Sequence, residues 1–269
     1  MPIYFGSQLI NEARVGTQLY DAYVGSQMVH GKERLPAFTY TGTYEEHPAS
    51  YYGLSGDYIV VAFLGSGTLT LTQNTDADIF MLGGGGGGGS STGAKCGGGG
   101  GGGYRANHTV TLAQGVSYAL IIGEGGAPSA AGGQTKFGDI HTVNGGGAGG
   151  NYSLTAGGAP GIGGSNGGQG WGTQGLSSTK GVDGDNNIFG EVGNIKYGPG
   201  GGGGDAIIDV ASNARAGGAT GGGAGATTVS SAISGKENHG AGGGGGGGTG
   251  YTSGAAGGSG VILMRKKIA

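Results

Sequence analysis

Apolar residues in this chain occur in short alternating or continuous runs, and neither pattern extends over the length of a helix. Leu69 and Leu71 alternate with threonines, which is typical of a half-buried strand. Continuous apolar stretches predict further strands at 58–64, 78–82 and 261–267. No amphipathic helix pattern is present in the glycine-rich part. The predicted fold class is therefore mainly β plus irregular structure, with essentially no α-helix.

Two β-hairpins are predicted later in the chain. Residues 109–112 and 117–122 flank a polar stretch at 113–116, which favours a hairpin. A smaller hairpin is predicted at 136–143, centred on Gly138 and Asp139, because both residues suit tight turns.

A short repeat occupies the first thirty residues, with copies at 5–9, 15–19 and 24–28. Its glycines, Gly6, Gly16 and Gly25, each precede Ser or Thr and suit the first position of a two-residue hairpin turn. Three such hairpins bury little surface alone, so we expect them to pack on a partner, on identical copies or on the next segment. A self-contained β meander is the alternative.

Glycine is distributed very unevenly and divides the chain. Residues 1–82 contain 9 glycines and residues 83–269 contain the other 67. We therefore predict a β-repeat attachment region at 1–37, a small β region at 38–82 that leads into a base, and a glycine-rich domain at 83–269.

Three uninterrupted runs of seven glycines lie in that domain, at 83–89, 97–103 and 242–248, and a run of five lies at 200–204. They suit either flexible linkers or polyglycine II, an extended helix with three residues per turn. Ordering one residue costs about 1–2 kcal/mol, whereas one hydrogen bond returns only about 0.5–1.5 kcal/mol. A lone polyglycine helix therefore melts, but a bundle whose members hydrogen-bond sideways can persist.

A helix surrounded on all sides in such a bundle has no room for a Cβ atom. Unbroken glycine runs therefore predict its centre, and runs interrupted by alanine predict its edge. The predicted scaffold positions are the ends of the long runs: Gly83, Gly89, Gly97, Gly103, Gly242 and Gly248.

The chain enters the glycine-rich domain from one strand and leaves it into another, so the number of helices should be even. One consistent count is about ten, standing as a bundle on a β base. This count places 90–96, 127–130, 151–156, 205–215 and 249–253 at the tip, and 165–199 and 227–239 on the base side unless they contain a further helix pair.

Charge and chemistry exclude several function classes. The net charge is −3 and there is no basic patch for nucleic acid. One cysteine permits no intramolecular disulfide, and the five histidines lack metal-ligand spacing. We find no nucleophile–base arrangement, signal peptide or membrane span, so we expect no enzyme, no cofactor and no metal site.

Four stretches in order form a more specific pattern: 83–89 after an apolar strand, 109–123, 132–138 and 257–263. Together they resemble the glycine-rich domain of bacteriophage tail-fibre receptor-recognition proteins, as in the tip adhesin of T-even-type long tail fibres. The repeat at 5–28 departs from that family's attachment region.

The resemblance implies a sandwich of packed polyglycine II helices. It also implies a virion protein, made in the host cytoplasm, at the tip of a tail or tail fibre. Its loops between polyglycine II helices would recognise an outer-membrane protein or a surface glycan of the bacterium. The N-terminal region would bind another tail or fibre protein, and a homotrimer is one assembly compatible with this.

Large side chains in loops between glycine runs are the candidate receptor-binding residues, since aromatic groups bury much area at low entropic cost. They are Tyr152, Leu154, Trp171, Phe189, Tyr197, Ile207, Ile208 and Tyr251. The helix count places Tyr152 and Tyr251 at the tip and Trp171 elsewhere, and Trp171 could instead cover the bundle edge.

Two other functions fit the composition less well. A structural or ice-binding polyglycine protein would show a regular Gly-x-x period and several cysteines. A disordered linker would not require the apolar segments at 118–122 and 261–264.

Overall fold

A computed structural model of the protein describes most of the chain. Near the N-terminus it describes four strands, at 3–5, 8–10, 22–24 and 27–30. The other described residues are 33–91, 96–151, 163–170, 178–205, 216–219, 221–227, 230–248 and 252–268.

The N-terminal strands form one antiparallel sheet in the order β1-β2-β3-β4, with bounds Ile3–Phe5, Gln8–Ile10, Ala22–Val24 and Gln27–His30. Phe5 pairs with Gln8, and Val24 pairs with Gln27. Two residues therefore join the strands of each pair, which confirms the first and third predicted hairpins. The middle copy and the glycines Gly6, Gly16 and Gly25 lie outside the described residues.

Two five-stranded antiparallel sheets form the base of the molecule. One has the strand order β10-β9-β16-β7-β6 and the other the order β13-β12-β11-β8-β5. A separate hairpin, β14-β15, lies beside them, and the only helical element among the described residues is a 3-10 turn at Ala49–Tyr52. The strand bounds are β5 Phe38–Tyr40, β6 Tyr44–Pro48, β7 Ile59–Phe63, β8 Gly67–Leu71, β9 Thr75–Leu82, β10 Arg105–Leu112, β11 Ser117–Ile121, β12 Thr135–Phe137, β13 His141–Val143, β14 Asp185–Ile188, β15 Glu191–Tyr197 and β16 Val261–Lys266.

The sheet that contains β9 is covered on both faces. Ile79 and Met81 face the core between the two sheets, while Phe80 and Leu82 pack on the opposite side against Tyr197 and its neighbours. This burial explains why β7, β9 and β16 appear in the sequence as continuous apolar runs and not as alternating ones. The mainly β prediction is confirmed.

The strands predicted around 113–116 exist, but they do not pair with each other. β10 pairs with β9 in one sheet, and β11 pairs with β8 and β12 in the other. The connection is therefore an arch between sheets, because Leu112 and Leu120 enter the same core from opposite sides. The smaller predicted hairpin is confirmed, with Phe137 paired to His141.

The glycine-rich segments form a bundle that extends from one end of the base. β9 leads into it at Gly83, and β16 leaves it at Val261, directly beside Leu82. The described segments of the bundle are 83–91, 96–104, 123–127, 130–134, 144–151, 163–170, 178–184, 198–205, 216–218, 221–227, 230–236, 240–248 and 252–260.

Hydrogen bonds between these segments follow a period of three. In 83–89, the N–H groups of Gly83, Gly86 and Gly89 all donate to the segment 98–104, at 2.8–3.0 Å. Gly84 and Gly87 donate to segment 130–133, and Gly85 and Gly88 donate to segment 255–258. Successive residues therefore point to three different neighbours, and these backbone bonds run between segments and not within one.

The long glycine runs lie at the centre of the bundle. Segment 83–89 donates to three neighbours and accepts hydrogen bonds from three others, at 126–129, 146–149 and 243–246. Every residue of 83–89, 97–103, 200–204 and 242–248 is buried. The unbroken glycine runs therefore occupy the buried interior of this bundle.

A Cβ atom has no space at these central positions. One built on Gly86 would lie 2.0 Å from the carbonyl oxygen of Gly147, and one on Gly100 would lie 2.0 Å from that of Gly86. Because the obstructing atoms are backbone, no side-chain rearrangement can relieve the clash.

Parts of the two stretches assigned to the base side belong to the bundle instead. Gly99 donates to Gly168 at 2.8 Å, Thr179 donates to Gln169 at 2.9 Å, and Ile233 donates to Ala224 at 2.9 Å. Segments 163–170 and 178–184 thus form an additional pair, as do 221–227 and 230–236. The sequence signal is weak in 178–184 and 230–236, which contain two glycines and one glycine. These two segments lie at the edge of the bundle, where side chains can point away from it.

Gly86→Ala should lower the free energy of unfolding by about 3 kcal/mol or more, because its methyl group clashes with fixed backbone. Urea denaturation followed by circular dichroism measures this change. Gly65→Ala is the matched control, since its nearest neighbour would be Thr43 N at 3.5 Å, and it should stay within about 1 kcal/mol of wild type. Equal stability of both variants would contradict the packing described for the bundle.

Candidate functional site

The end of the bundle opposite the base, here called the far end, is the candidate site. Described residues that reach it are Ser90, Ser91, Cys96, Ala127, Ser129, Ala130, Asn151, Gly170, Ser178, Asp205, Thr227, Ser230, Gly248 and Thr252. They are the last described residues before the chain reverses or before a gap in the described residues.

Hydrogen bonds join several of these ends into one surface. Ser91 N donates to Thr252 O at 2.6 Å, Gly204 N to Gly97 O at 3.0 Å, and Gly248 N to Asp205 O at 3.4 Å. Each bond connects segments that are distant in sequence. Residues from most of the glycine-rich domain therefore meet at the far end.

Small polar side chains replace glycine at this surface. The side-chain oxygen of Asn151 accepts hydrogen bonds from Ser90 N and from Ser129 Oγ, both at 2.8 Å. Ser178 Oγ donates to Asp205 Oδ2 at 3.1 Å, and the hydroxyls of Thr227 and Ser230 are 2.8 Å apart. These groups satisfy backbone and side-chain atoms where the bundle pattern stops.

The sequence-predicted residues fall into two groups. Tyr152, Leu154, Trp171, Ile207, Ile208 and Tyr251 lie outside the described residues. Their described neighbours Asn151, Gly170, Asp205 and Thr252 all lie at the far end.

Trp171 itself lies outside the described residues, so its position stays a prediction, but its neighbour Gly170 is described. A Cβ on Gly170 would lie 2.3 Å from Cys96 O, which places Gly170 at the far end. The helix count did not include the pair of segments at 163–170 and 178–184, because 178–184 contains only two glycines and gives a weak signal.

Phe189 and Tyr197 lie at the base and not at the far end, so the structure does not bring them together with the other candidates. Phe189 occupies the turn between β14 and β15 with a φ of 55°, and its ring lies 4.7 Å from the Arg265 guanidinium. Tyr197 is a β15 residue and not a loop residue. Its side chain is buried against Phe80, and this burial raises the pKa of the Tyr197 hydroxyl because the charged form loses solvation.

Arg265 lies between two rings and two carboxylates at the base. Its guanidinium is 4.6 Å from the Tyr58 ring and donates to Asp78 at 3.1 Å and Glu191 at 2.7 Å. The charge is thus fully paired, as a buried cation requires. This cluster fixes the β14-β15 hairpin to β9 and β16.

Neither metal chemistry nor a membrane-spanning helix is indicated by the described residues. No group of three or more His, Cys, Asp or Glu side chains among them lies close enough to hold a metal ion. No helix in the same part of the chain has the length and apolar character that a membrane crossing requires.

The family model named glycine-rich domain matches residues 62–267. The chain therefore belongs to this family of glycine-rich domain proteins. A search of curated proteins returns no match. The matched region includes the end of β7, all of β8 to β16 and the bundle, and it does not include β5 or β6.

Cys96 should be inert in the folded protein. Burial, with a smaller contribution from Asp205, raises the pKa of its thiol to about 12, so the reactive thiolate is scarce at neutral pH. We expect reaction with 5,5′-dithiobis(2-nitrobenzoic acid) at least about a hundredfold slower in buffer than in denaturing urea. Equal rates would show that the far end is open around Cys96.

Proposed function

We propose that the bundle is a sandwich of packed polyglycine II helices. Three observations on the described segments support this: the period of three in the hydrogen bonds, backbone bonds that run between segments and not within one, and carbonyl oxygens about 2 Å from a Cβ added at central glycines such as Gly86 and Gly100. A threefold helix presents successive N–H groups in three directions, which is what a hexagonally packed helix requires. Seven residues of such a helix span about 22 Å.

We further propose that the protein is a phage tail-tip adhesin that recognises a bacterial surface receptor, either an outer-membrane protein or a surface glycan. The observation that carries this proposal is the far end, where residues from many separate segments meet on one surface. A rigid backbone scaffold tolerates sequence change in its connections, and recognition commonly resides on such connections.

Within this proposal, the large side chains next to the far end are the receptor anchors. Tyr152, Trp171 and Tyr251 are adjacent in sequence to Asn151, Gly170 and Thr252. Leu154, Ile207 and Ile208 would add apolar side chains to the same receptor-binding surface. Phe189 and Tyr197 are not part of this proposal, because their rings pack on the base. The N-terminal sheet would attach the protein to another tail or fibre protein.

The triple variant Tyr152→Ala, Trp171→Ala and Tyr251→Ala should bind receptor-bearing cells at least about tenfold more weakly, because it removes the aromatic anchors. Flow cytometry of fluorescently labelled full chain on a panel of Gram-negative strains measures this binding. Tyr104→Ala, which changes an exposed tyrosine at the base, is the control.

Unchanged binding by the triple variant would contradict an adhesin that works through the far end. A measurable gap between freezing and melting points in solutions of the protein would instead support ice binding. Unfolding curves of the triple variant should match wild type, which separates loss of contact from loss of fold.

A further inference from the structure

A cavity of about 390 Å³ lies at the junction of the base and the bundle, on the side away from the core between the sheets. β6, β7 and the 3-10 turn form one wall, and β15 forms another. Residues 236–239, where the chain turns between the bundle segments 230–236 and 240–248, form the third. Its size is within the range of small-molecule sites in proteins. All of its lining residues are described, and none belongs to the far end.

One wall presents a flat aromatic face. The Tyr51 ring is 53% exposed and stacks on the His47 ring, with centroids 4.1 Å apart and planes 10° from parallel. Glu45 Oε2 lies 2.9 Å from His47 Nε2, which holds the imidazole in place. The wall is therefore fixed before any ligand arrives.

The floor of the cavity includes two buried tyrosines, Tyr52 and Tyr197. The Tyr52 and Tyr197 side chains are only 2% and 4% exposed, and neither hydroxyl forms a hydrogen bond within the part of the chain that the structure describes. Buried phenol groups normally have a partner. Burial raises the pKa of Tyr52, and Tyr197, Tyr51 and Glu45 raise it further. All four residues line the cavity.

The rim adds hydrogen-bonding groups with little net charge. The side-chain amide of Asn194 has no hydrogen-bond partner among the described residues. Glu45, Lys236 and Glu237 also line the cavity. Two carboxylates against one ammonium group disfavour an anionic ligand. The cavity is therefore lined by both hydrogen-bond donors and acceptors, next to the exposed ring of Tyr51.

From this arrangement we propose that the cavity binds a neutral saccharide. The apolar C–H face of a sugar ring would stack on Tyr51, and its hydroxyls would supply partners for Tyr52, Tyr197 and Asn194. A sugar suits the site because each of its hydroxyls can both donate and accept a hydrogen bond, and the floor and rim of the cavity present both donors and acceptors. This site is separate from the proposed receptor contacts and does not depend on them.

Saturation-transfer NMR on the full chain tests the proposal with methyl α-glucoside, methyl α-galactoside and N-acetylglucosamine at millimolar concentration. At least one of these probes should receive saturation, and Tyr51→Ala should raise its Kd at least about tenfold. Glucuronate, which carries a negative charge, should bind more weakly than the neutral probes.

Tyr52→Phe gives the sharper comparison. It removes the unpartnered hydroxyl and keeps the ring, so the unfolding curve should remain at or above wild-type stability. Its sugar affinity should nevertheless fall several-fold, which a purely structural role of Tyr52 would not produce. Tyr104→Ala should leave both readouts unchanged.

Two results would overturn the proposal. One is no saturation transfer to any of the three neutral probes. The other is transfer that persists unchanged in Tyr51→Ala and Tyr52→Phe, which would place the sugar elsewhere. Because cell binding is measured with the far-end variants, failure of this proposal is distinguishable from failure of the adhesin proposal.

Discussion

The absence of a Cβ atom along four segments is the constraint on which the molecule depends. A Cβ atom added at Gly86, Gly100, Gly201 or Gly243 would lie only 2.0–2.1 Å from a carbonyl oxygen of a neighbouring segment. That proximity lets each backbone hydrogen-bond to several neighbours. Glycine's large entropy loss on folding is offset by these bonds together, not by any one of them.

The base makes this bundle possible by fixing where its chains begin and end. β9 and β16 pair side by side, so the chain enters and leaves the bundle from neighbouring positions in one sheet. That sheet is buried on both faces, and the paired Arg265 ties the β14-β15 hairpin to it. The bundle is therefore anchored to a conventional hydrophobic core that it does not possess itself.

The sequence predicted what depends on local pattern or on sterics. Apolar runs located β7, β9 and β16, and unbroken glycine runs located the centre. It did not predict that β10 and β11 belong to different sheets, since pairing depends on contacts far apart in the chain. It also missed edge segments such as 178–184, because outward side chains leave few glycines there. The sequence did not indicate a cavity at Tyr51 and Tyr52, since only folding brings them to Tyr197 and Asn194.

Hydrogen–deuterium exchange of glycine-labelled protein, followed by NMR, tests the central claim most directly. We expect the amides of 84–89 and 97–103 to exchange as slowly as those of β9, because each donates to a neighbouring segment inside the bundle. Exchange as fast as that of an unstructured glycine peptide would contradict the account, since it would show that the runs behave as linkers.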